Sequence, residues 1–558
     1  MLSARVCGCG RRSLWWGLAA GAALLAVALV LRWAAFPAIL TAKIKQAVQL
    51  HDGSAAMERF VQLPQPLLYK VYLFNVTNPD EVEQGAKPVL QQVGPYVYEE
   101  WRRRRDVTRT SNGSLDYRLE TTYHFSPERS PGLSEDDEFT YLNVVMVGIV
   151  VQVSEDYSSL LSMVEPVLSE LVPGGAQLFQ RASARQLLWS GVPTVDCRGN
   201  LSAVAALACG ALPSLLPATV QQTEPGVYVF SFFGFKNGTS KQWWRVDSGV
   251  EDVRTLGSVI SYDNSSRLKV WSPSNSPCNE IRGTDSTLFP PFITPNDTIY
   301  IFAHDICRSM HAEYEREQEV SGVHGLRFVA SGSLLRRGGP NACTCPDGRC
   351  LATGAISVRE CFRAPIAVSF PHFYQASPEY LQYAEGLSPS KELHETFVVI
   401  EPETGTPLVG AKRLQFNMKA ARVAQVPALR NVSEGLFPLL WVEEGVELEE
   451  KQLSQVRALY VARASMGGVA WAVLAVGVAA LLFCAVRLAK ARVAERNRSL
   501  SLDKGVTAGG KLSVPTLGAA YPESATKRPS PPAAAPAAPT ALWTRRISDA
   551  APGPRQRR

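Results

Sequence analysis

The sequence is poor in the features that usually mark an enzyme. Seven histidines are scattered through 558 residues, the nearest pair being His304 and His311. No Gly-x-Ser-x-Gly and no His-Glu-x-x-His occurs, so neither a nucleophile elbow nor a zincin helix is indicated. No period of about 20–50 residues recurs, which excludes solenoids and propellers. Residues 151–180 hold no Lys or Arg. Two further stretches, Leu14–Leu31 and Met466–Val486, hold no charge of either sign.

Those two uncharged runs set the frame. They are 18 and 21 residues long, long enough to cross a bilayer as helices. Arg5, Arg11 and Arg12 precede the first, and Arg487, Lys490, Arg492, Arg496 and Arg498 follow the second. Basic flanks stay cytoplasmic, so both termini are expected in the cytosol. The expected divisions are a cytosolic N-terminus at 1–13, a transmembrane helix at 14–35, an outer segment at 36–464, a second transmembrane helix at 465–486 and a cytosolic tail at 487–558. A cleaved signal peptide is the alternative for the first run.

The net charge of +6 is unevenly placed. Residues 487–558 carry 14 Lys+Arg against 4 Asp+Glu, and residues 1–35 add four Arg, leaving −8 for the rest. The basicity therefore belongs to the two ends. Beside a span it fits contact with the inner leaflet, and it gives no ground for a nucleic-acid partner.

Six cysteines crowd 84 positions of the outer segment: Cys278, Cys307, Cys343, Cys345, Cys350 and Cys361. Zinc ribbons want paired Cys-x2–4-Cys knuckles, and Cys343-Thr344-Cys345 is too short for one. Disulfides in an oxidising compartment fit better, with a zinc site as the alternative. Seven sequons, at Asn75, Asn112, Asn200, Asn237, Asn264, Asn296 and Asn431, lie between the two spans, and an eighth, at Asn497, falls on the expected cytosolic side, where it would not be glycosylated. The seven are candidate glycosylation sites. Cys7, Cys9 and Cys484 stand at the cytosolic membrane edges and are palmitoylation candidates, unmodified thiols being the alternative.

Runs rich in Val, Tyr, Phe and Ile, broken by Gly, Pro and Asn, predict strands at Leu68–Val76, Tyr96–Trp101, Val227–Phe235, Leu268–Trp271, Ile299–Ala303, Phe397–Ile400 and Arg413–Met418. The pattern is an antiparallel β core with inserted helices. Tyr157, Leu160, Leu161, Val164, Leu168 and Leu171 follow helical spacing. That stripe reads either as core packing or as a partly exposed docking surface. Leu381–Leu387 is a shorter helix candidate. The tail from Ser499, rich in Ser, Pro and Ala, reads as disordered.

The chain resembles the class B scavenger receptors, the family of fatty-acid translocase, the high-density-lipoprotein receptor and lysosomal integral membrane protein type 2. The resemblance rests on Asn78-Pro79, Gly94-Pro95-Tyr96-Val97-Tyr98, Phe289-Pro290-Pro291-Phe292, Ile306-Cys307-Arg308-Ser309, Pro371-His372-Phe373 and Ala411-Lys412-Arg413-Leu414-Gln415. In the outer segment it is nearest the lysosomal member, through Phe74–Pro79, Ser369–Tyr374 and Cys345–Leu351. It implies an α+β fold: an antiparallel β-barrel-like ectodomain with a helical apex bundle and an apolar tunnel, anchored by two transmembrane helices. It implies the pairings Cys278–Cys343, Cys307–Cys361 and Cys345–Cys350. Cys197 and Cys209 lie outside that set and either pair locally or stay free.

The function this implies is a scavenger receptor that binds lipids, sterols or lipoproteins and passes sterol or phospholipid to the membrane through the tunnel. The alternative is a sorting receptor that delivers a lysosomal hydrolase by the apex helix. No catalytic residue, metal or cofactor is implied. The expected location is the plasma membrane or the endosomal–lysosomal membrane, and a homo-oligomer is left open. If both ends are cytosolic, glycosidase treatment will shift the full-length band strongly, and an epitope on the tail will stay hidden on unpermeabilised cells. Surface labelling of that epitope would reject the topology.

Overall fold

The computed structural model describes residues 11–506, apart from the side chains of residues 11, 498 and 501–506. Cys7, Cys9 and residues 507–558 lie outside the described residues. The chain forms two units, Met1–Cys484 and Ala485–Arg558. Two helices are long and apolar enough to cross a membrane, one within Arg12–Val48 and one within Glu450–Asn497. The first runs through Arg11–Val30, a π-helical turn at Leu31–Ala35, and Phe36–Val48. At 1.5 Å per residue it spans about 55 Å, well beyond a hydrocarbon core of about 30 Å. The second helix, Glu450–Val506, continues where the sequence suggested a structureless tail from residue 487. The reason is local: residues 487–500 are mostly Ala, Leu, Arg, Lys and Glu, which are good helix formers, with no Pro or Gly before Gly505.

The two spans meet along small residues. A Cβ at Gly21 would crowd Leu481, and one at Gly477 would crowd Leu24 and the carbonyl of Gly21. The Sγ of Cys484 fills the space above Gly17. Cys484 is thus a buried free thiol, packed against the partner helix.

Between the spans the chain builds a 13-stranded antiparallel sheet curled into a nearly closed barrel. In spatial order its main path is Val259–Tyr262, Gly238–Val246, Leu115–Phe125, Leu90–Arg109, Leu67–Val76, Gly435–Glu447, Pro407–Ala420, Phe397–Ile400, Val323–Val329, Arg308–Val320 and Ile299–Ala303. Ala355–Ser357 and Ile366–Ser369 branch from Pro407–Ala420. Two predicted strands are corrected. Val227–Phe235 is a strand only to Phe230, then a 3-10 turn at Gly234–Lys236. Leu268–Trp271 is irregular, with its first amide donating to Asn279 O. The helix predicted at Leu381–Leu387 is also absent: Pro378–Gln382 forms one 3-10 turn and the chain then extends.

The barrel's two edges are stitched by one short segment. Val259 N donates to Gly283 O at 2.8 Å on one side. On the other, Thr284 N donates to Tyr300 O at 3.2 Å and Phe302 N to Thr284 O at 2.8 Å. Edge strands leave unpaired backbone groups that must be covered, and this segment covers both. Gly283 is at φ +82, and a Cβ there would run into the Tyr300 carbonyl.

Strand Leu67–Val76 follows the first membrane helix and runs away from it, so Val76 marks the end of the barrel distal to the membrane. Helices Val144–Asp156, Leu161–Leu171 and Ala203–Leu215 pack there, on Val76, Leu90, Ala420 and Phe437. Asn143 caps the first through Met146 N at 3.2 Å, and Ser202 caps the third through Ala205 N at 3.3 Å. Replacing Gly283 by Ala is expected to cost about 2 kcal/mol or more and to lower the urea midpoint of the full chain. An unchanged midpoint would remove this segment from barrel closure.

Candidate functional site

The inward face of the barrel is read from strand alternation. On Leu90–Arg109 the buried residues Tyr96, Tyr98, Glu100, Arg102 and Arg104 recur every second position. Tyr96 and Tyr98 share one core with Tyr69, Val71, Leu73, Leu440 and Val442 from the neighbouring strands. The same face therefore changes from aromatic to charged along the barrel.

At the distal mouth lies a narrow apolar crevice whose interior, about 10 Å³, has room for roughly one water, far below the size of a ligand pocket. Leu73, Phe139, Leu142, Leu187, Phe232 and Leu439 line it, with Tyr141 the main polar group. Tyr141 is tied down: its hydroxyl donates to Gln180 Oε1 at 2.9 Å. The lining comes from four sources: the ends of two central strands, the strand Glu138–Leu142, the Gln186–Ser190 turn, and the segment after the strand Val227–Phe230 that carries Phe232.

Below the aromatic layer the interior is ionic. Arg102 contacts Glu100 at 2.7 Å and Glu444 at 2.9 Å, and Lys412 reaches Glu444 at 2.6 Å. Lys236 pairs with Asp305 at 2.7 Å, and Arg104 pairs with Asp285. Burial works to raise the Glu444 carboxyl, but Arg102 and Lys412 hold it at about 2. Asp305 is held well below the usual carboxylate range against the same burial by Lys236 and His304. Glu100 goes the other way, raised by burial, and its Oε2 has no partner. Four cations and four carboxylates thus cross the barrel where an apolar tunnel would run.

The motif residues serve this interior. In Ala411-Lys412-Arg413-Leu414-Gln415, Lys412 points inward to Glu444 while Arg413 points outward to Glu443 at 2.7 Å, with Lys70 on the same carboxylate at 2.6 Å. Gln415 accepts from the backbone N of His372 at 2.7 Å. His372 stacks on His394, with ring centroids 4.5 Å apart, and lies edge-on to Phe74. Backbone amides of Ser388 and Ser390 donate to the two Nδ1 atoms at 3.0 and 2.9 Å, so each proton sits on Nε2. His372 Nε2 donates its proton to Gln92 Oε1 at 2.6 Å, an oxygen that also accepts from Trp441 Nε1. Burial lowers both histidines to about 4, with the neighbouring ring and Arg413 adding to the effect at His394.

The apex stripe is divided differently from the sequence reading. One helix ends at Asp156, Tyr157 turns the chain, Ser158–Leu160 is a 3-10 turn, and the next helix is Leu161–Leu171. Leu161, Val164, Leu168 and Leu171 are buried in the apex core. Only Tyr157 and Leu160 are exposed, at 60% and 47%. Four of the six residues thus pack in the core and two stand exposed, so the core-packing reading and the partly exposed one each describe part of the stripe. Three of the nearby acids have partners: Glu155 and Asp156 pair with Arg359, and Glu155 also with Lys419. Glu170 Oε2 accepts from Ser202 N at 2.9 Å.

Four disulfides stiffen this architecture: Cys278–Cys343, Cys307–Cys361, Cys345–Cys350 and Cys197–Cys209. Among the described residues no group of His, Cys, Asp and Glu is arranged to hold a metal. Six of the seven sequon asparagines between the spans are exposed. Asn75 is half-buried in a strand, and its Oδ1 accepts from Thr140 N at 2.9 Å.

Two spans joined by a disulfide-bonded β-barrel with an apical helix bundle define a membrane-anchored ectodomain protein. The comparisons name the family. The CD36 family model matches residues 19–488. Sensory neuron membrane protein 1 of Apis mellifera is 35% identical over 454 residues, 81% of this chain and 86% of that protein. Sensory neuron membrane protein 2 of Ostrinia furnacalis is 35% identical over 480 residues, covering 84% and 91%. Sensory neuron membrane protein 2 of Drosophila melanogaster is 30% identical over 521 residues, covering 81% and 93%. The chain belongs to the CD36 family, the class B scavenger receptors.

The histidine pair makes stability depend on pH. Both rings titrate near 6.5 in the unfolded chain but near 4 when folded, so the unfolded state gains protons first. Stability is expected to fall as pH drops from about 6.5 towards about 4, with Glu444 adding a further loss only from about 4.5 towards 2. Thermal unfolding midpoints across this range should decline in the native chain and decline less with His372→Gln plus His394→Gln. Equal slopes would show that the pair is not the sensor.

Proposed function

We propose that this chain is a membrane receptor for lipids or other lipophilic ligands, which it admits at the distal end of the barrel and releases to the bilayer. The observation that carries this reading is the apolar lining of the crevice at the barrel mouth, Leu73, Phe139, Leu187, Phe232 and Leu439, which has to part to admit a ligand. A ligand leaving water for such a lining gains about 0.8 kcal/mol per buried methylene. The cavity supplies no energy for transport, so movement follows the lipid gradient. Family membership and relatives named as sensory neuron membrane proteins support a receptor role.

Sterol or phospholipid is the ligand class we favour, at the plasma membrane or in endosomal–lysosomal membranes with both termini cytosolic and the outer sequons glycosylated. Onward passage has a physical condition. Arg102, Lys412 and Glu444 cross the barrel below the aromatic layer, and an acyl chain gains nothing from parting ion pairs. A ligand therefore leaves sideways between elements, or the network rearranges as it passes. The sorting-receptor reading rested on six apolar anchors, four of which are core residues, so it is the weaker of the two.

Phe232 is only partly buried, which makes Phe232→Trp a tolerable way to fill the cavity. In cells expressing the full chain, the variant should reach the surface as the native protein does, while uptake of a fluorescent sterol or phospholipid falls towards untransfected cells. Native uptake in a normally delivered variant would reject the cavity as the ligand site.

A further inference from the structure

Beyond the second span the chain turns basic at once. Arg487, Lys490, Arg492, Arg496 and Arg498 fall within twelve residues, with Glu495 the one acid among them. All of them belong to the helix Glu450–Val506. Every residue from Ala489 to Asn497 is exposed, and so are Ser499 and Leu500. An exposed helical segment with few buried apolar contacts opens at little free-energy cost.

The segment ends on a doubled pattern. Arg496-x-x-Ser499-Leu500 overlaps Arg498-x-x-Ser501-Leu502. Each serine has an arginine three places before it and a leucine directly after it. A guanidinium is read by bidentate pairing with carboxylates, and charge patterns beside the acceptor are how kinases choose substrates. In the helix Ser499 Oγ donates to the backbone O of Arg496 at 2.8 Å. The hydroxyl therefore reaches another protein only when this turn opens, which its exposure allows.

We propose that Ser499 and Ser501 form a phosphorylation site for an arginine-directed serine kinase, and that the phosphate loosens the basic segment from an anionic leaflet. The proposal rests on the tail facing the cytosol, where ATP is supplied. In the transfer a serine hydroxyl oxygen bonds to the γ-phosphorus of ATP and the bond from that phosphorus to the β–γ bridging oxygen breaks. ADP leaves, and the hydroxyl proton passes to a carboxylate of the kinase.

A cluster of Lys and Arg directly beyond a span grips anionic lipid, and each cation adds to the hold. Here five cations less Glu495 leave the segment at +4. One phosphate brings about −1.5 to −2 charges at pH 7, roughly half of that total. Helix register strengthens the effect. Arg496 and Arg492 stand three and seven residues before Ser499, on its face of the helix. A phosphate there competes with lipid phosphates for the same guanidinium groups.

The test uses the full chain reconstituted in nanodiscs, with MgATP and the catalytic subunit of cyclic-AMP-dependent protein kinase as the arginine-directed probe. Phosphate is located by mass spectrometry, because Arg545-Arg546-Ile547-Ser548 offers the kinase another serine. Phosphate is expected within Ser499–Ser501. Ser499→Ala plus Ser501→Ala should remove it there and leave Ser548 as before. Arg496→Ala plus Arg498→Ala, with both serines kept, should slow it roughly tenfold or more. Amide hydrogen exchange over residues 487–500 reads the leaflet contact. In the unmodified chain it should be slower on discs containing phosphatidylserine than on pure phosphatidylcholine, and phosphorylation should abolish that difference. No phosphate at either serine, or an unchanged rate in the arginine variant, would overturn the site. An exchange difference that survives phosphorylation, or none before it, would overturn the leaflet switch. Both faces of a disc are open to the kinase, so these outcomes do not depend on which side the tail takes in cells. Surface labelling of a tail epitope on intact cells would fail the topology, whereas a failed kinase assay leaves the topology standing.

Discussion

Everything in this molecule hangs on one antiparallel pairing. Strand Leu67–Val76, just after the first span, pairs with Gly435–Glu447, just before the second, from Leu68 opposite Gly445 to Leu73 opposite Leu440. These residues are nearly the whole outer segment apart in sequence. The pairing closes that long loop, which costs entropy growing only slowly with length, and it brings the two membrane helices side by side. Gly17, Gly21 and Gly477 then let the helices approach closely, the small-residue packing that serves association where lipid offers no hydrophobic drive. The same two strands supply Leu73, Leu440 and Glu444 to the barrel interior.

The interior charges are the least expected part of the design. A buried ion pair recovers its desolvation cost only with good geometry and further hydrogen bonds, and removing one partner strands the other. Here the pairs are shared: Glu444 serves both Arg102 and Lys412, and Glu443 on the outer face serves both Lys70 and Arg413. Each carboxylate crosslinks neighbouring strands of the ladder. The network ties the strands together and separates the apolar mouth from the membrane-proximal core around Phe60, Tyr117 and Trp244. Any lipid route must contend with that division.

The apex combines opposite demands. Val144–Asp156 is apolar almost all round because it is buried almost all round. Ala203–Leu215 is just as apolar yet open to solvent on most of its surface. An exposed apolar element of this kind lowers solubility. The disulfide Cys197–Cys209 keeps that helix in place against the bundle, where an untethered apolar helix would fray or seek its own burial.

Local pattern was enough for several features of this protein. Two uncharged runs with basic flanks marked the membrane helices, and strands such as Ile299–Ala303 and Phe397–Ile400 were legible to the residue because β-branched and aromatic side chains suit a half-buried pleat. The motif set carried the barrel, the apex bundle and the family. The predicted strand Tyr96–Trp101 stopped just before Arg102-Arg103-Arg104-Arg105. The fold continues it to Arg109 because Arg102 and Arg104 turn inward to Glu444 and Asp285, partners hundreds of residues away. The Gly17-x-x-x-Gly21 spacing was present in the chain, but its partner surface at Gly477, Leu481 and Cys484 was not deducible from either span alone. Helical spacing grouped Tyr157 with Leu161, Val164, Leu168 and Leu171 without saying which side faced inward. Periodicity and composition act over a few residues, and the sequence by itself determines what depends on them: spans, strands and an apolar stripe. Which charges are buried, which apolar faces are covered and where the cavity lies were decided only by the tertiary structure, because each depends on side chains that the barrel closure brings together from distant parts of the chain.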